Sequence, residues 1–530
     1  MWLVVLGMVC ADSSVYAEPA SEDETWYVVL LGDQRAGHVH QQTTTDNDRI
    51  TTEMSMRVRV GRGDAVIEVS SDTTFVETVG GQAISAESSL GIGGMGGKPI
   101  VTAMRFVADT VHITTTQGDR VEASQRPTPK IDWLPPAAAV RYVQEQLREG
   151  QDQITVTTLD PSMGPEPFTM TMTVLGQERV EVFGREVEAI VWDVVTSNLP
   201  GIAMREYVDA SGQALKSTVS LMPGMEMTVV SADRDLALSE LEPPEIMAST
   251  LIRPSEGSAE FKNSRSTKEA LYALRLPEGA NLPITGAQKL EEAAAQVGPG
   301  EREVFVRVRS EVRSTIAELT EGVRSQPDLA DMPGDPAPAS EDELQDMTAA
   351  AAMVDYESLP VSQLRTEFEE AFGDPDLAQR AVLAEKLRRF VFDAIDTKDL
   401  SVGFANATET AATRRGDCTE HAVLLAALLR SHGIPSRGVA GLVYVDEFLG
   451  QEGVFGFHMW TQAWLDPDGS EGPAKPRWID LDAAIDRERP FDATHIALAI
   501  DDLNAASPLN QMVALTPLMG RLEVRVIEAE

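Results

Sequence analysis

The apolar residues follow two different periods along the chain, and the change of period divides the sequence. From Trp26 to about Leu238 they alternate with polar residues, most clearly over residues 54–60 and 168–174. A period of two turns one side of each segment toward a core and predicts β-strands. One helix is predicted within this part, over residues 136–148. We therefore expect a large, half-open antiparallel sheet.

A second β-type segment follows, with valines at 304, 306 and 308 on one side of a predicted strand. Residues 326–347 are rich in Pro, Asp and Glu, which is typical of a solvated linker. Beyond the linker, helical and strand patterns are mixed, so the expected fold class is α+β. The predicted divisions are an antiparallel β-rich domain over 18–248, a small β-type domain over 249–325, an acidic Pro-rich linker over 326–355 and a final domain over 356–530.

In the final domain, one helix has both of its ends marked by the sequence. Asp417 is a good N-cap, leucines at 424, 425, 428 and 429 recur at helical spacing, and Gly433 with Pro435 supplies the stop. Cys418 then lies in the first turn, where unpaired backbone N–H groups and the helix dipole stabilise negative charge. We therefore expect a lowered thiol pKa and a thiolate that can act as a nucleophile.

Two later strands carry candidates for a base and an orienting carboxylate. Residues 457–465 predict a strand with His458 on one face, and residues 478–482 predict another that puts Asp480 and Asp482 on one face. A cysteine, a histidine on a strand and an aspartate on the neighbouring strand would supply a nucleophile, a general base and the carboxylate that fixes the imidazole tautomer. This spacing leaves both aspartates as candidates.

Four short blocks of the final domain resemble the transglutaminase-like superfamily, whose core is related to papain-like cysteine proteases. In chain order they are Gly416-Asp417-Cys418-x-Glu420-His421-Ala422, Gly433-Ile434-Pro435-x-Arg437, His458-x-Trp460 and Trp478-x-x-x-Asp482. The resemblance covers residues 356–530 and implies a C-terminal transglutaminase-like (papain-like) core preceded by antiparallel β-rich domains. It also implies Cys418 as nucleophile, His458 as base and Asp482 as the third member of a triad.

The chain departs from the family pattern at two positions. Gln462 stands where an acidic residue is common, which bears on substrate contacts. Ala483-Ala484 follows Asp482 in place of the usual proline and hydroxyl residue, which keeps Asp480 open as the third member. His421 and His432 are competing bases, although we expect a helix-packing or capping role for His421.

The composition is strongly acidic. With 530 residues the chain is long enough for three or four units, and its formal net charge is −40. Nucleic-acid binding and adhesion to anionic lipid both need clustered Lys and Arg, so the charge argues against both. We therefore expect a solvated acidic surface.

Residues 1–17 predict a signal peptide. A short apolar run over residues 2–9 precedes Val15-Tyr16-Ala17, which has the small-residue pattern of a signal-peptidase site. The chain has two cysteines, and Cys10 falls within this segment, so the mature chain would hold the single thiol of Cys418. We expect export to the periplasm or cell envelope, with no integral membrane segment after signal cleavage.

We expect no cofactor and no metal. Gly91-Ile92-Gly93-Gly94-Met95-Gly96 matches the dinucleotide fingerprint by letter, but a strand-like segment follows it where the fingerprint needs a helix. Cys418, His421 and His458 make a poor zinc set, because a structural site generally needs four ligands.

The resulting hypothesis is cysteine-dependent acyl transfer or hydrolysis on protein or peptide amides, with transamidase, protease and deamidase outcomes all open. The alternative is a catalytically inactive transglutaminase-like scaffold or binding protein in the cell envelope. The substrate, any calcium dependence and the oligomeric state have no signal in the sequence.

Overall fold

The structure of the protein is a computed structural model. It describes residues 21–530 apart from 64, 94–97, 119, 199–201, 211, 223–224, 299, 311–339, 374–378, 399, 401, 404, 467–475, 505–514 and 516–517. The predicted signal peptide over 1–17 and residues 326–339 of the predicted linker lie outside the described residues. The chain divides into a first unit that ends at residue 245 and a second that runs from 246 to 530 and also takes in residues 62–65.

One antiparallel sheet of 14 strands makes up most of the described part of the first unit. Its strands are β1 Ser21–Leu31, β2 Gln34–Asp46, β3 Arg49–Arg62, β4 Ala65–Thr78, β5 Ala83–Gly93, β6 Ile100–Val107, β7 Thr110–Gln117, β8 Arg120–Pro127, β9 Gln153–Thr158, β10 Phe168–Val182, β11 Arg185–Thr196, β12 Met204–Val208, β13 Ala214–Met222 and β14 Met225–Ala232. Strands that follow one another in sequence are neighbours in the sheet, except that β1 pairs with β14 and the order ends at β8 and β9.

The period-two pattern explains this sheet. In β3 the side chains of Met54, Met56 and Val58 are buried, while the residues between them are more exposed. The predicted helix is α1, Pro136–Arg148, which begins with proline at its first position as helices tolerate. A second, short helix, α2, covers Arg234–Leu238. The prediction of a large antiparallel sheet is therefore confirmed.

Within its described residues, the second unit holds two antiparallel sheets. One has the order β16-β17-β15-β22, formed by β15 Glu269–Pro277, β16 Gln288–Gly298, β17 Glu301–Arg309 and β22 Glu523–Ala529. The other has the order β20-β19-β18-β21, formed by β18 Ser436–Phe448, β19 Gln451–Leu465, β20 Arg477–Leu481 and β21 His495–Asp501. The helices among the described residues of this unit are α3 Glu341–Asp346, α4 Leu359–Phe372, α5 Arg380–Ala394, α6 Ala407–Thr413 and α7 Cys418–Ser431.

Two cores lie on opposite sides of β19. Leucines of α7 and α5 pack with Met459 and Ala463 of β19 in the first core. Trp460, from the other face of β19, packs in the second core with Tyr272 of β15 and Val306 of β17. Successive side chains of β19 therefore point to opposite faces of the strand and pack into different cores.

Residues 269–309 share both a sheet and a core with the rest of the second unit. β22 pairs with β15, 250 residues earlier in sequence, in a register that includes Tyr272↔Val526 and Leu274↔Val524. The hydroxyl of Tyr272 donates to the carbonyl of Ala493 at 2.7 Å, which ties β15 to the segment before β21. The segments predicted as a small β-type domain and a final domain therefore meet in one continuous core.

No helix in the described parts of the chain has both the length and the apolar character needed to cross a bilayer.

Because the core is shared, we expect a destabilising substitution in β15 to increase hydrogen exchange in the other strands of the unit as well. Leu274 is fully buried, so Leu274→Ala should lower the free energy of unfolding of this unit by about 2–5 kcal/mol. Hydrogen exchange read by mass spectrometry should then quicken in β18 and β19 as well as in β15 and β17. Lys262→Ala, at an exposed position, is the control. Faster exchange confined to residues 269–309 would show that the two segments are independent.

Candidate active site

The cysteine helix begins with a reciprocal cap. The Asp417 side chain accepts from the backbone N–H of Thr419 at 3.1 Å, and Glu420 accepts from the backbone N–H of Asp417 at 2.8 Å. The preceding Gly416 has φ +149°, and a Cβ there would overlap the Glu420 side chain. Glu420 also accepts from the N–H of Ala405 at 2.8 Å. The predicted helix and its N-cap are confirmed, and Glu420 completes the capping box.

Cys418 is the first residue of α7, and it is half-buried against the first core. The N–H of Met459, on β19, hydrogen-bonds its sulfur, so the thiol lies beside the residue that follows His458. Desolvation by burial and the negative charge of Asp417 raise the thiol pKa well above its usual value, against the smaller opposite effect of the Met459 amide. The expectation of a lowered thiol pKa is therefore wrong for this structure. The helix terminus favours the anion, but here burial and the adjacent carboxylates outweigh it.

The side chains of His458 and Asp482 form a hydrogen bond. Nε2 of His458 lies 3.1 Å from Oδ2 of Asp482, and both residues are buried. Although desolvation alone would raise it, the pKa of Asp482 is held well below its usual value by its imidazole partners, so the carboxylate is ionised. An ionised carboxylate only accepts hydrogen bonds, so Nε2 of His458 carries the proton and Nδ1 is left as the basic nitrogen.

Asp480 has a different set of partners. It accepts from Nε1 of Trp460 at 2.8 Å, from Nε2 of Gln462 at 2.7 Å and from the N–H of Ala287 at 2.8 Å. Gly286 has φ +52°, and a Cβ there would collide with the Asp480 carboxylate. Asp480 thus anchors the turn before β16 to the sheet, and of the two candidate aspartates it is Asp482 that contacts the imidazole of His458.

Gln462 takes part in this anchoring network. Its side-chain oxygen accepts from Nε of Arg437 and from the hydroxyl of Thr285, both at 2.9 Å. The Arg437 guanidinium also lies 3.8 Å from the centroid of the Trp478 ring. Because Gln462 is fully buried, its departure from the family's acidic residue alters internal hydrogen bonding rather than an exposed surface.

The main chain at Asp482 is held on several sides. Its N–H donates to the carbonyl of Pro490 at 2.7 Å, and its carbonyl accepts from the buried Arg388 at 2.9 Å. Arg388 is in turn paired with Glu385 on α5. The N–H of Ala484 donates to Oδ1 of Asp482 at 2.7 Å, so this departure from the family pattern keeps a backbone donor for the carboxylate.

A second imidazole contacts the same carboxylate oxygen. Nε2 of His495, the first residue of β21, lies 3.2 Å from Oδ2 of Asp482. Sequence reasoning missed His495. Residues 495–500 form an almost continuous apolar run that begins with this buried histidine. The available sequence signal was the presence of Asp492 and Asp482 shortly before it in the chain.

The two competing histidines have structural partners. Nδ1 of His421 lies 2.6 Å from the carbonyl of Asp417, and burial lowers the pKa of His421 to about 4, so the ring is neutral with its proton on Nδ1. Nδ1 of His432 lies 2.8 Å from the carbonyl of Leu428 at the far end of α7. The expected packing or capping role of His421 fits this geometry.

His458, Asp482 and His495 offer ligand atoms that lie within 4.8 Å of one another. Both imidazoles already place Nε2 against Oδ2 of Asp482, so a metal ion would have to replace both hydrogen bonds. A network of hydrogen bonds accounts for the cluster without an ion.

Residues 375–483 match the family model of the transglutaminase-like superfamily. The second unit therefore contains a transglutaminase-like domain, preceded in the chain by the β-rich region. The match includes Cys418, His458 and Asp482 and ends one residue after the aspartate. No curated protein matches the chain.

Weak similarities connect the chain to solved structures. A β-barrel-like protein with a domain of unknown function from Brucella abortus has 11% identity and a TM-score of 0.30, and the alignment covers 40% of this chain and 95% of that one. A protein proposed to be a cysteine protease from Cytophaga hutchinsonii has 13% identity and a TM-score of 0.28 over 50% and 87% of the two chains. A protein proposed to be a protease from Parabacteroides distasonis has 12% identity and a TM-score of 0.17 over 72% and 63%. Similarities of this strength carry no conclusion about the activity of this chain.

The charge beside Cys418 gives a direct prediction. Asp417→Asn keeps a good N-cap but removes the negative charge, so the thiol pKa should fall. The pH midpoint of iodoacetamide alkylation at Cys418, followed by mass spectrometry, should therefore move to lower pH. Glu370→Gln, at an exposed position on α4, is the matched control and should not move it. A midpoint that stays in place in Asp417→Asn would refute the assigned cause.

Proposed function

We propose that the transglutaminase-like domain is a cysteine-dependent acyl-transfer enzyme that acts on amides of proteins or peptides. Cys418 is the nucleophile, His458 the general base and Asp482 the carboxylate that orients it. The proposal rests mainly on one observation: the buried His458–Asp482 hydrogen bond lies directly beside the strand position whose N–H contacts the Cys418 sulfur.

The first step forms a thioester. Because burial favours the neutral thiol, its proton passes to Nδ1 of His458 as the sulfur attacks the substrate carbonyl. The negative charge that develops on the carbonyl oxygen is met by N–H groups at the start of α7, including that of Cys418. The imidazolium then gives its proton to the departing ammonia or amine, and the C–N bond breaks.

The second step reverses these roles. His458, held by Asp482, takes a proton from the acceptor as it attacks the thioester. The C–S bond then breaks, and the imidazolium returns its proton to the sulfur to regenerate the thiol. Water as acceptor makes the reaction a hydrolysis of a peptide or glutamine amide, whereas a primary amine makes it a transamidation. Both outcomes would use the same three residues in the same roles, so the acceptor has to be found by experiment.

The acceptor can be identified with one substrate mixture. A glutamine-containing peptide is incubated with the protein and a labelled primary amine, and mass spectrometry distinguishes incorporated amine, free acid and cleaved peptide. Cys418→Ala should abolish every product. If wild type and Cys418→Ala are indistinguishable in all three assays and the thiol resists alkylation until unfolding, the domain is an inactive scaffold and the proposal fails.

Asp482 and Asp480 offer a matched pair for the third role. Asp482→Asn removes the charge that fixes the His458 tautomer and should lower kcat roughly 100-fold or more. Asp480→Asn changes a carboxylate that contacts Trp460 and Gln462, so its effect should fall mainly on thermal stability. Steady-state kinetics and thermal unfolding of both variants check this. A larger loss of kcat in Asp480→Asn than in Asp482→Asn would reverse the assignment.

A further inference from the structure

We propose that His495 is a positioning residue of the reaction: as an imidazolium held between Asp492 and Asp482, it fixes the Asp482 carboxylate and sets the pH range in which His458 can act as a base. This inference rests on the proposed function of Cys418, His458 and Asp482. It adds a fourth residue, on a different strand, that acts through Asp482 and touches no substrate.

The charge of His495 follows from its partners. Its Nε2 lies 3.2 Å from Oδ2 of Asp482, and its Nδ1 lies 3.0 Å from the backbone carbonyl of Asp492 and 3.3 Å from Oδ1 of the same residue. Carbonyl and ionised carboxylate oxygens accept hydrogen bonds and cannot donate them. Both ring nitrogens of His495 must therefore carry a proton, and a ring with two N–H groups is a cation.

The surroundings maintain this charge. Burial alone would lower the pKa of His495, but the carboxylates of Asp492 and Asp482 raise it to about 9. Desolvation also acts on Asp492, yet His495 and Arg265 hold its pKa below the usual value. Nη1 of Arg265 lies 3.0 Å from Oδ2 of Asp492.

The other ionisable groups near this cluster come from several elements. Asp480, at the end of β20, is close enough for its charge to interact with His495. Tyr272, on β15, interacts with the charges of Asp492 and Arg265. Lys398, in the segment after α5, interacts with Asp482. The carboxylates that contact the His495 ring are those of Asp482 and Asp492.

Asp482 is thus shared by two imidazoles with different tasks. His458 must gain and lose a proton during turnover, whereas His495 stays protonated. Their ring centroids are 5.5 Å apart. A fixed positive charge at that distance opposes protonation of His458 and partly cancels the charge of Asp482.

The absence of a side chain at Gly441 lets β19 and β21, which carry the two histidines, pack closely on either side of β18. Gly441 of β18 lies between the two strands, paired with His458 on one side and with Ala497 on the other. A Cβ on Gly441 would come within 2.8 Å of the Trp460 ring and would overlap the carbonyl of Ile496. Trp460 also packs edge-on against His495, at 5.2 Å between centroids.

The test compares pH profiles of kcat/KM for wild type, His495→Gln, His495→Lys and Phe491→Leu. Glutamine keeps a neutral N–H donor but removes the charge, so the acidic limb should move up by about one pH unit, with roughly tenfold slower turnover on that limb. Lysine restores a cation and should return the limb toward the wild-type position. Phe491→Leu trims a ring that packs 4.4 Å from His495 and controls for altered packing, so its limb should stay in place.

A uniform loss of rate in His495→Gln, with no movement of the limb, would reduce His495 to a structural residue and overturn the inference. A second readout does not need activity. In Cys418→Ala protein with ¹³Cε1-labelled histidine, the signal that disappears in His495→Gln should titrate with a midpoint of about 9.

The two readouts separate the possible failures. A neutral His495 at pH 7 in the labelled protein refutes this inference even if the enzyme is active. Wild-type protein with no Cys418-dependent turnover refutes the proposed function even if His495 is charged. A His495 that is charged but whose replacement leaves the acidic limb in place refutes its influence on His458.

Discussion

The sharing of one buried carboxylate, Asp482, is the interaction on which the arrangement of the site depends. A carboxylate removed from water is costly unless its oxygens are fully hydrogen-bonded and its charge is balanced. Here Oδ2 faces two imidazole nitrogens and Oδ1 accepts a backbone N–H. Every element that carries these donors must therefore be in place before the charge can be buried, which couples the end of β20 to β19 and β21.

The thiol illustrates how opposing electrostatic effects decide a mechanism. The start of α7 offers backbone N–H groups and a favourable dipole, yet Cys418 is also desolvated and stands next to Asp417 in the capping box. Burial and this carboxylate raise the thiol pKa, so the proposed reaction includes proton transfer to His458 during the attack. The same cap that defines the start of the helix thus favours a neutral thiol as the starting state of the proposed reaction.

Sequence reasoning succeeded where a local pattern dictates a local structure. Leucine spacing with Asp417 and Gly433 predicted α7, alternation predicted β19, and the four family blocks identified the transglutaminase-like domain. The sign of the thiol pKa change was wrong, because the dipole argument is local whereas desolvation depends on what packs around the sulfur.

The choice between Asp480 and Asp482 likewise depends on the three-dimensional structure and not on a local pattern. Both face the same side of a predicted strand, but β20 ends at Leu481, and Asp482 follows the strand rather than continuing it. His495 was not predicted because its strand, β21, pairs with β18 on the side opposite to β19. Its contact with Asp482 also depends on the loop after β20, in which the N–H of Asp482 donates to the carbonyl of Pro490. Register and loop path carry this information, and neither has a short sequence signature.

The pairing of β22 with β15 has a consequence for how the domain is made. These strands enclose α7, β19 and β20 within one very long loop of chain, so their contact has to wait for nearly 250 residues to be synthesised. Contacts of such sequence separation slow folding, because a large closure entropy is lost before any pairing energy is gained. A nascent chain can therefore expose α7 well before the second core closes, and the proposed site is completed only late in biosynthesis.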